Sequence, residues 1–192
     1  MTDYFALLDQ PRAPWLDPAG LKEAYHRKTL ETHPDTGGAD KTEGGFAELN
    51  EAFQVLQDPK RRVHHLLELE GRAPSSSGLT VPQELQDLFP AIGALTQRVN
   101  LFLEKMKAAT NALSRSLLKP QLLELQKETA ELREKIQALS DGALAELRGV
   151  NSSWATNPPE VLAALSNLYF TFAYLGHWSA QLDEIAFQLS LH

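Results

Sequence analysis

Apolar residues recur at steps of three and four along most of this 192-residue chain, and no stretch alternates apolar with polar at a period of two. The pattern predicts helices and no strands. In the first third they are short. "YFALLD" reads as a brief apolar helix with Thr2 or Asp3 available as its cap. Asp17-Pro18 is a start signal, an Asp cap followed by Pro at the first helical position. The helix it opens carries Leu21, Ala24, Tyr25 and Leu30 on one side, with Lys22, His26, Arg27 and Lys28 over the rest of its surface. A third helix, Glu43 to Gln57, sets Phe46, Leu49, Ala52, Phe53 and Leu56 at helical spacing. A fourth restarts at Asp58-Pro59 and ends at Gly71.

Beyond "GRAPSSSGLTVP", which lacks apolar periodicity and reads as a linker, three longer patterns follow. One runs through Leu95, Val99, Phe102, Met106, Ala109 and Leu113. The next takes Leu122, Leu125, Thr129, Leu132, Ile136 and Leu139, and the last Val161, Leu165, Leu168, Phe172, Leu175 and Leu182. Alternating steps of this kind form the seam of helices crossing at shallow angles. Pro120 and "NSSWATNPP" are expected to mark the turns of an antiparallel three-helix bundle. The expected organisation is an all-α chain, with a four-helix domain built on a helical hairpin over residues 1–71, a linker over 72–82 and a bundle over 83–192.

Composition narrows the chemistry. With no cysteine, thiolate metal sites, disulfides and cysteine nucleophiles are excluded. The formal net charge of −7 argues against non-specific nucleic-acid binding. The acidic N-terminus does not read as a signal peptide, so the expected compartment is the cytoplasm. From Val161 to Leu182 no charged residue occurs, a length that could span a bilayer. Ser166, Asn167, His177, Ser179 and Gln181 are costly in lipid and no basic anchor flanks them, which favours a buried or partner-covered helix. On that helix Phe170, Tyr174 and Trp178 recur every fourth residue, on the face nearly opposite the seam. They are either core residues of a well-buried helix or, if exposed, a contact surface for a client or for self-association.

The sharpest local feature is "THPD" within "TLETHPDTGGAD". Pro34 drives His33 out of helical geometry, so the second helix must end there. Gly37 and Gly38 then allow a sharp turn. An imidazole, a rigid ring and a carboxylate are thus presented at a corner beside a basic helix. A metal site there would lack further ligands, because no other His or acidic residue has suitable spacing. His64, His65 and His177 read as ordinary helix residues. A hydrolase would need acids and bases converging in a pocket, whereas the charges here fall mostly on exposed helix faces.

"YFALLDQP", "LKEAYHRKTLETHPD" and "FAELNEAFQVLQDPKRR" together resemble the J domain of DnaJ-type co-chaperones, over roughly residues 3–70. The resemblance implies no active site, no cofactor and a role as activator of a partner ATPase. The partner would be a chaperone of the DnaK/HscA type, met by Lys22, Tyr25, His26, Arg27 and Lys28, with His33, Pro34 and Asp35 as the trigger. Thr36 stands where the family often has Lys. "DPKRRVHHLLELEGR", with Arg62, Leu66, Leu67, Leu69 and Gly71, is similar to the fourth helix of the HscB co-chaperones of iron–sulfur cluster assembly. A J domain followed by a helical bundle is also their layout, which implies a cluster scaffold protein as client. Where HscB proteins dock that scaffold, this chain has Glu84, Leu85, Asp87, Leu88 and Phe89, with Pro90 expected to interrupt the helix. The alternative is a J protein with a lineage-specific client, conceivably membrane-associated through its last helix.

Overall fold

The structure, a computed structural model, describes residues 2–32, 43–72, 74, 81–154 and 158–192, with side chains at all of these except 32, 43, 44 and 158–160. The corner from His33 to Gly38 and most of the linker lie outside the described residues. Every regular element described is helical: α1 (Tyr4–Leu7), α2 (Pro18–Thr32), α3 (Glu43–Gln57), α4 (Pro59–Leu69), α5 (Gln83–Ala108), α6 (Ala112–Ser153) and α7 (Pro158–Ser190). No helix among the described residues is long and apolar enough to cross a membrane.

The N-terminal caps expected of the first, second and fourth helices are present, that of the first at Asp3 rather than Thr2. Asp3 is the cap of α1, its Oδ1 accepting from the amides of Phe5 at 3.0 Å and Ala6 at 3.3 Å. Asp17 Oδ2 accepts from the Gly20 amide at 2.7 Å, and Asp58 Oδ1 from the Arg61 amide at 2.8 Å, each ahead of a proline at the first helical position. Gly71, at φ +69°, takes the left-handed conformation that ends α4. Phe5 and Leu8 of the α1 region are buried, as are Leu21 and Ala24 of α2, Leu49, Ala52 and Leu56 of α3, and Val63, Leu66 and Leu67 of α4.

The chain forms two compact units, and they divide it differently from a cut at the linker. The first takes the described residues within Met1–Leu79 together with Ala143–Phe170; the second takes those within Thr80–Gly142 and Thr171–His192. The last part of α6 and the first part of α7 therefore belong with the N-terminal helices. The core of the second unit is drawn from all three long helices: Leu85, Leu88, Ile92, Leu95, Val99 and Phe102 of α5, Leu125, Leu132 and Ile136 of α6, and Leu175, Trp178, Leu182, Ile185 and Leu189 of α7.

Two proline expectations are corrected. Pro90 lies inside α5 and Pro120 inside α6; neither ends a helix. An internal proline costs about 3 kcal/mol. Burial of a leucine or isoleucine side chain stabilises by about 1.5–3 kcal/mol, and Pro90 is bracketed by Leu85, Leu88, Ile92 and Leu95, all buried. The burial outweighs the lost backbone bond. The real turn is at 109–111, where Asn111 Oδ1 accepts from the Ser114 amide at 2.8 Å and Arg115 Nε donates to the Ala109 carbonyl at 3.1 Å. Leu113 consequently opens α6 rather than extending the α5 seam, and is 73% exposed.

Candidate functional site: the basic face of α2 and the loop that precedes it

α2 rests on α3 through Tyr25. Its ring stacks on Phe53 with centroids 4.4 Å apart, and its hydroxyl donates to Asn50 Oδ1. Tyr25, expected at the docking surface, is thus half-buried and engaged within the unit. Lys22, His26 and Arg27 are exposed around it, and Lys28 is partly covered. Asp9 shares this face: its Oδ2 lies 2.8 Å from Lys28 Nζ and 3.4 Å from Arg27 Nη2. The Lys28 ammonium, aided by the Arg27 guanidinium, holds the Asp9 carboxyl below its ordinary value. Asp9 adopts φ 51°, a left-handed position that Asp tolerates better than most residues. The face is therefore cationic but tempered at one end. His33, Pro34 and Asp35 follow immediately after α2, outside the described residues.

The loop from Pro11 to Asp17 leads into α2, and four groups hold it. Arg12 Nη2 pairs with Asp3 Oδ2 at 2.7 Å. Arg62, only 3% exposed, donates from Nε to the Pro14 carbonyl at 2.8 Å and from Nη1 to the Leu56 carbonyl at 2.6 Å. Burial lowers the Arg62 pKa to about 10, still far above neutrality, so the guanidinium stays charged. The other two groups come from the end of α6. Asn151 Oδ1 accepts from the Trp15 amide at 3.1 Å, and Trp154 Nε1 donates to the Arg12 carbonyl at 2.8 Å. The Trp15 ring has the Arg148 guanidinium 4.2 Å from its centroid and that of Arg62 at 5.8 Å. The sequence reading missed Trp15, Arg148, Asn151 and Trp154. Their partners lie more than a hundred residues away, so no local periodicity could have paired them.

His65 is a structural histidine, as expected. Its Nε2 accepts from the Tyr4 amide at 3.2 Å, and its ring stacks on Tyr4 at 4.6 Å and Phe5 at 5.7 Å. Accepting that bond requires an unprotonated Nε2. Burial depresses the His65 pKa below its ordinary 6.5, against the opposing pull of Asp3 and Glu68. The fold thus favours the neutral ring. Above 6.5 the ring is neutral folded or unfolded; as pH falls from there towards the lowered folded value, the unfolded chain protonates first and stability drops. Urea unfolding of the first unit at about pH 7.5 and about pH 5.5 is expected to show a lower midpoint in acid, and His65→Gln to flatten that difference.

The aromatic residues of α7 are resolved differently from one another. Trp178 is 4% exposed and sits in the core of the second unit, so it is not a surface contact. Leu175, Trp178 and Leu182 follow one another at steps of three and four, and Trp178 belongs to the seam that was read as running straight from Leu175 to Leu182. Tyr174 stacks on Trp178 at 5.8 Å and packs partly against the core. Phe89 of α5 meets both edge-on, at 5.6 Å and 4.8 Å, and is itself 49% exposed. Phe170 belongs to the first unit, half-buried, with its ring edge-on to Tyr169 at 5.2 Å.

With this geometry in place, known proteins give a consistent match. The DnaJ domain family matches residues 3–65. The DnaJ homolog subfamily B member 3 of Homo sapiens is 30% identical over 106 residues, covering 54% of this chain and 70% of that protein. The chaperone protein DnaJ of Caulobacter vibrioides is 44% identical over 64 residues, a third of this chain (33%) but only 16% of the relative's length. Two solved structures share the fold across nearly the whole chain at low identity. The chaperone HscB from Vibrio cholerae has a TM-score of 0.60 at 20% identity, covering 98% of this chain and 99% of that one. The human co-chaperone HscB has a TM-score of 0.57 at 19% identity, covering 95% and 81%. The chain belongs to the DnaJ family of J-domain co-chaperones, and its fold is that of the HscB chaperones.

Proposed function

We propose that this protein docks on an Hsp70-type chaperone of the DnaK/HscA class and stimulates its ATP hydrolysis, while the second unit presents a client. The observation that carries the first part is the cationic face of α2, with Lys22, His26 and Arg27 exposed and Lys28 partly covered, on the helix that His33-Pro34-Asp35 follows in sequence. A cationic face raises encounter rates with an acidic partner surface and orients the collision. Docking accelerates hydrolysis only if it favours the partner's hydrolysis-competent state, since equal affinity for both states shifts nothing. The chain then acts as an activator without chemistry of its own, and we place that action in the cytoplasm.

For the client, we propose an iron–sulfur cluster scaffold protein. The likeness of fold to the HscB structures supports this reading, as does the exposed edge of α5. There Leu85 and Leu88 are buried, which leaves Glu84, Asp87 and Phe89 outward. Phe89 with its neighbour Tyr174 replaces the full aromatic stripe of α7 as the candidate client contact.

One experiment addresses both parts. The purified chain, added to a DnaK-type ATPase, is expected to raise the single-turnover hydrolysis rate. Reversing charge at Arg27 and Lys28 to Glu is expected to lower that effect about ten-fold, and added salt to mimic it. No stimulation by the wild-type chain would defeat the docking reading. In the same preparation, capture of a cluster scaffold protein by the wild-type chain but not by Phe89→Asp supports the assigned client. Failure of the wild-type chain to retain the scaffold would favour a lineage-specific client instead.

A further inference from the structure

We infer that Arg148, Asn151 and Trp154, at the end of α6, are positioning residues for chaperone docking: they hold the loop that aims α2. The inference rests on the docking role proposed for α2 and goes beyond it by assigning work to a segment outside the J domain.

The argument begins with the loop. Between Gln10 and the Asp17 cap the chain has no helical backbone bonds to fix it, and its course sets where α2 starts. Residues 3–65 supply two restraints, the Arg12–Asp3 pair and the Arg62 bond to the Pro14 carbonyl. The first is partly exposed and therefore weak. The second anchors Pro14 but leaves the Trp15 amide and the Arg12 carbonyl without a partner from the J domain. Both are satisfied from α6: Asn151 Oδ1 takes the Trp15 amide, and Trp154 Nε1 reaches the Arg12 carbonyl. Arg148 then covers the Trp15 ring from 4.2 Å, a second guanidinium beside that of Arg62 at 5.8 Å. Leu16 follows, buried at 4%, and Asp17 opens the helix.

These contacts have a specific chemistry. Asn151 and Trp154 meet main-chain atoms, so they fix the path of the backbone whatever the loop side chains do. They flank the last turn of a helix of 42 residues, whose earlier part carries Leu125, Leu132 and Ile136 into the core of the second unit. Within the first unit the loop is therefore tied to the helix end that carries Asn151 and Trp154. Freed from that tie, α2 keeps its own cap and its packing through Tyr25, but its direction is no longer single-valued. Only a fraction of molecules then present the basic face in the docking direction, and apparent affinity falls by that fraction.

The test uses the full-length chain carrying Asn151→Leu with Trp154→Phe, which removes the acceptor and the donor while keeping bulk. A second variant, Asn151→Asp, restores an acceptor at the same atom. Two quantities are read: amide hydrogen exchange across Trp15–Lys22, and the concentration giving half-maximal stimulation of a DnaK-type ATPase. The double variant is expected to exchange faster at Trp15 and to need about three- to ten-fold more protein for half-maximal stimulation, with the maximal rate unchanged. Asn151→Asp is expected to restore both. Unchanged exchange at Trp15 would show that α6 does not hold the loop. Faster exchange with an unchanged half-maximal concentration would show that the loop is held without consequence for docking. A fall in maximal rate that Asn151→Asp fails to restore would mark a general loss of fold and overturn a positioning role. A wild-type chain that stimulates nothing defeats the docking reading itself, a result distinct from all of these.

Discussion

Replacing Asp35 with Asn is expected to abolish the proposed stimulation of the partner ATPase and to leave the helices intact. The substitution is isosteric and removes only a charge, at a corner directly after the last residue of α2. The helix has supports of its own among the described residues. It starts at the Asp17 cap and is held on α3 by the stacking of Tyr25 on Phe53 and the bond from Tyr25 to Asn50. On the proposed docking, the substitution removes a charge-assisted bond to the partner, and removing one member of a desolvated charged pair costs about 2–5 kcal/mol. That corresponds to at least a thirty-fold drop in the docked population at the low end and beyond detection at the high end. Single-turnover hydrolysis with and without the variant measures it, and far-UV circular dichroism checks the fold. Stimulation equal to wild type would remove the trigger from this corner.

Phe5→Ala is expected to lose both fold and activity, and so makes the opposite control. α1 is a helix of four residues, too short to persist without tertiary contacts. It is held because Phe5 is fully buried against His65, with Leu8 buried beside it. Truncating a buried phenylalanine costs about 3–5 kcal/mol, a large share of the 5–15 kcal/mol typical of a whole domain. Loss of α1 also removes the Asp3 carboxylate that pairs with Arg12. Thermal unfolding followed by circular dichroism is expected to show an early transition, lowered on the order of 15 °C, ahead of a second transition from the unit built on the Phe102 core. A single cooperative transition at the wild-type temperature would mean that Phe5 is not the anchor of α1. Asp35→Asn and Phe5→Ala thus separate a lost contact from a lost structure.

Other residues show how unevenly evidence is distributed along the chain. Arg62 was noticed for its place in a helix pattern, yet its effect comes from burial. Its Nε and Nη1 serve the Pro14 and Leu56 carbonyls inside the protein. His65 looked unremarkable and is a buried acceptor for the start of α1. Asp9, given no role of its own in the sequence reading, tempers two of the cations that make α2 basic.

Legible in the linear chain were the helical class, the helix ends at Asp17, Asp58 and Gly71 with the choice of Thr2 or Asp3 for α1, and the J-domain resemblance that carries the proposed function. These are local signals, set by neighbours within one or two turns, so a linear reading reaches them. Only the tertiary structure places Pro90 and Pro120 inside long helices; at Pro90, burial of the flanking Leu85, Leu88, Ile92 and Leu95 exceeds the cost of a missing backbone bond. It alone decided that Trp178 is core and Phe89 surface, because which flank of an apolar helix faces inward depends on the helices beside it. And it alone joined Asn151 and Trp154 to the loop before α2, because backbone groups without a local partner find one wherever the fold brings it.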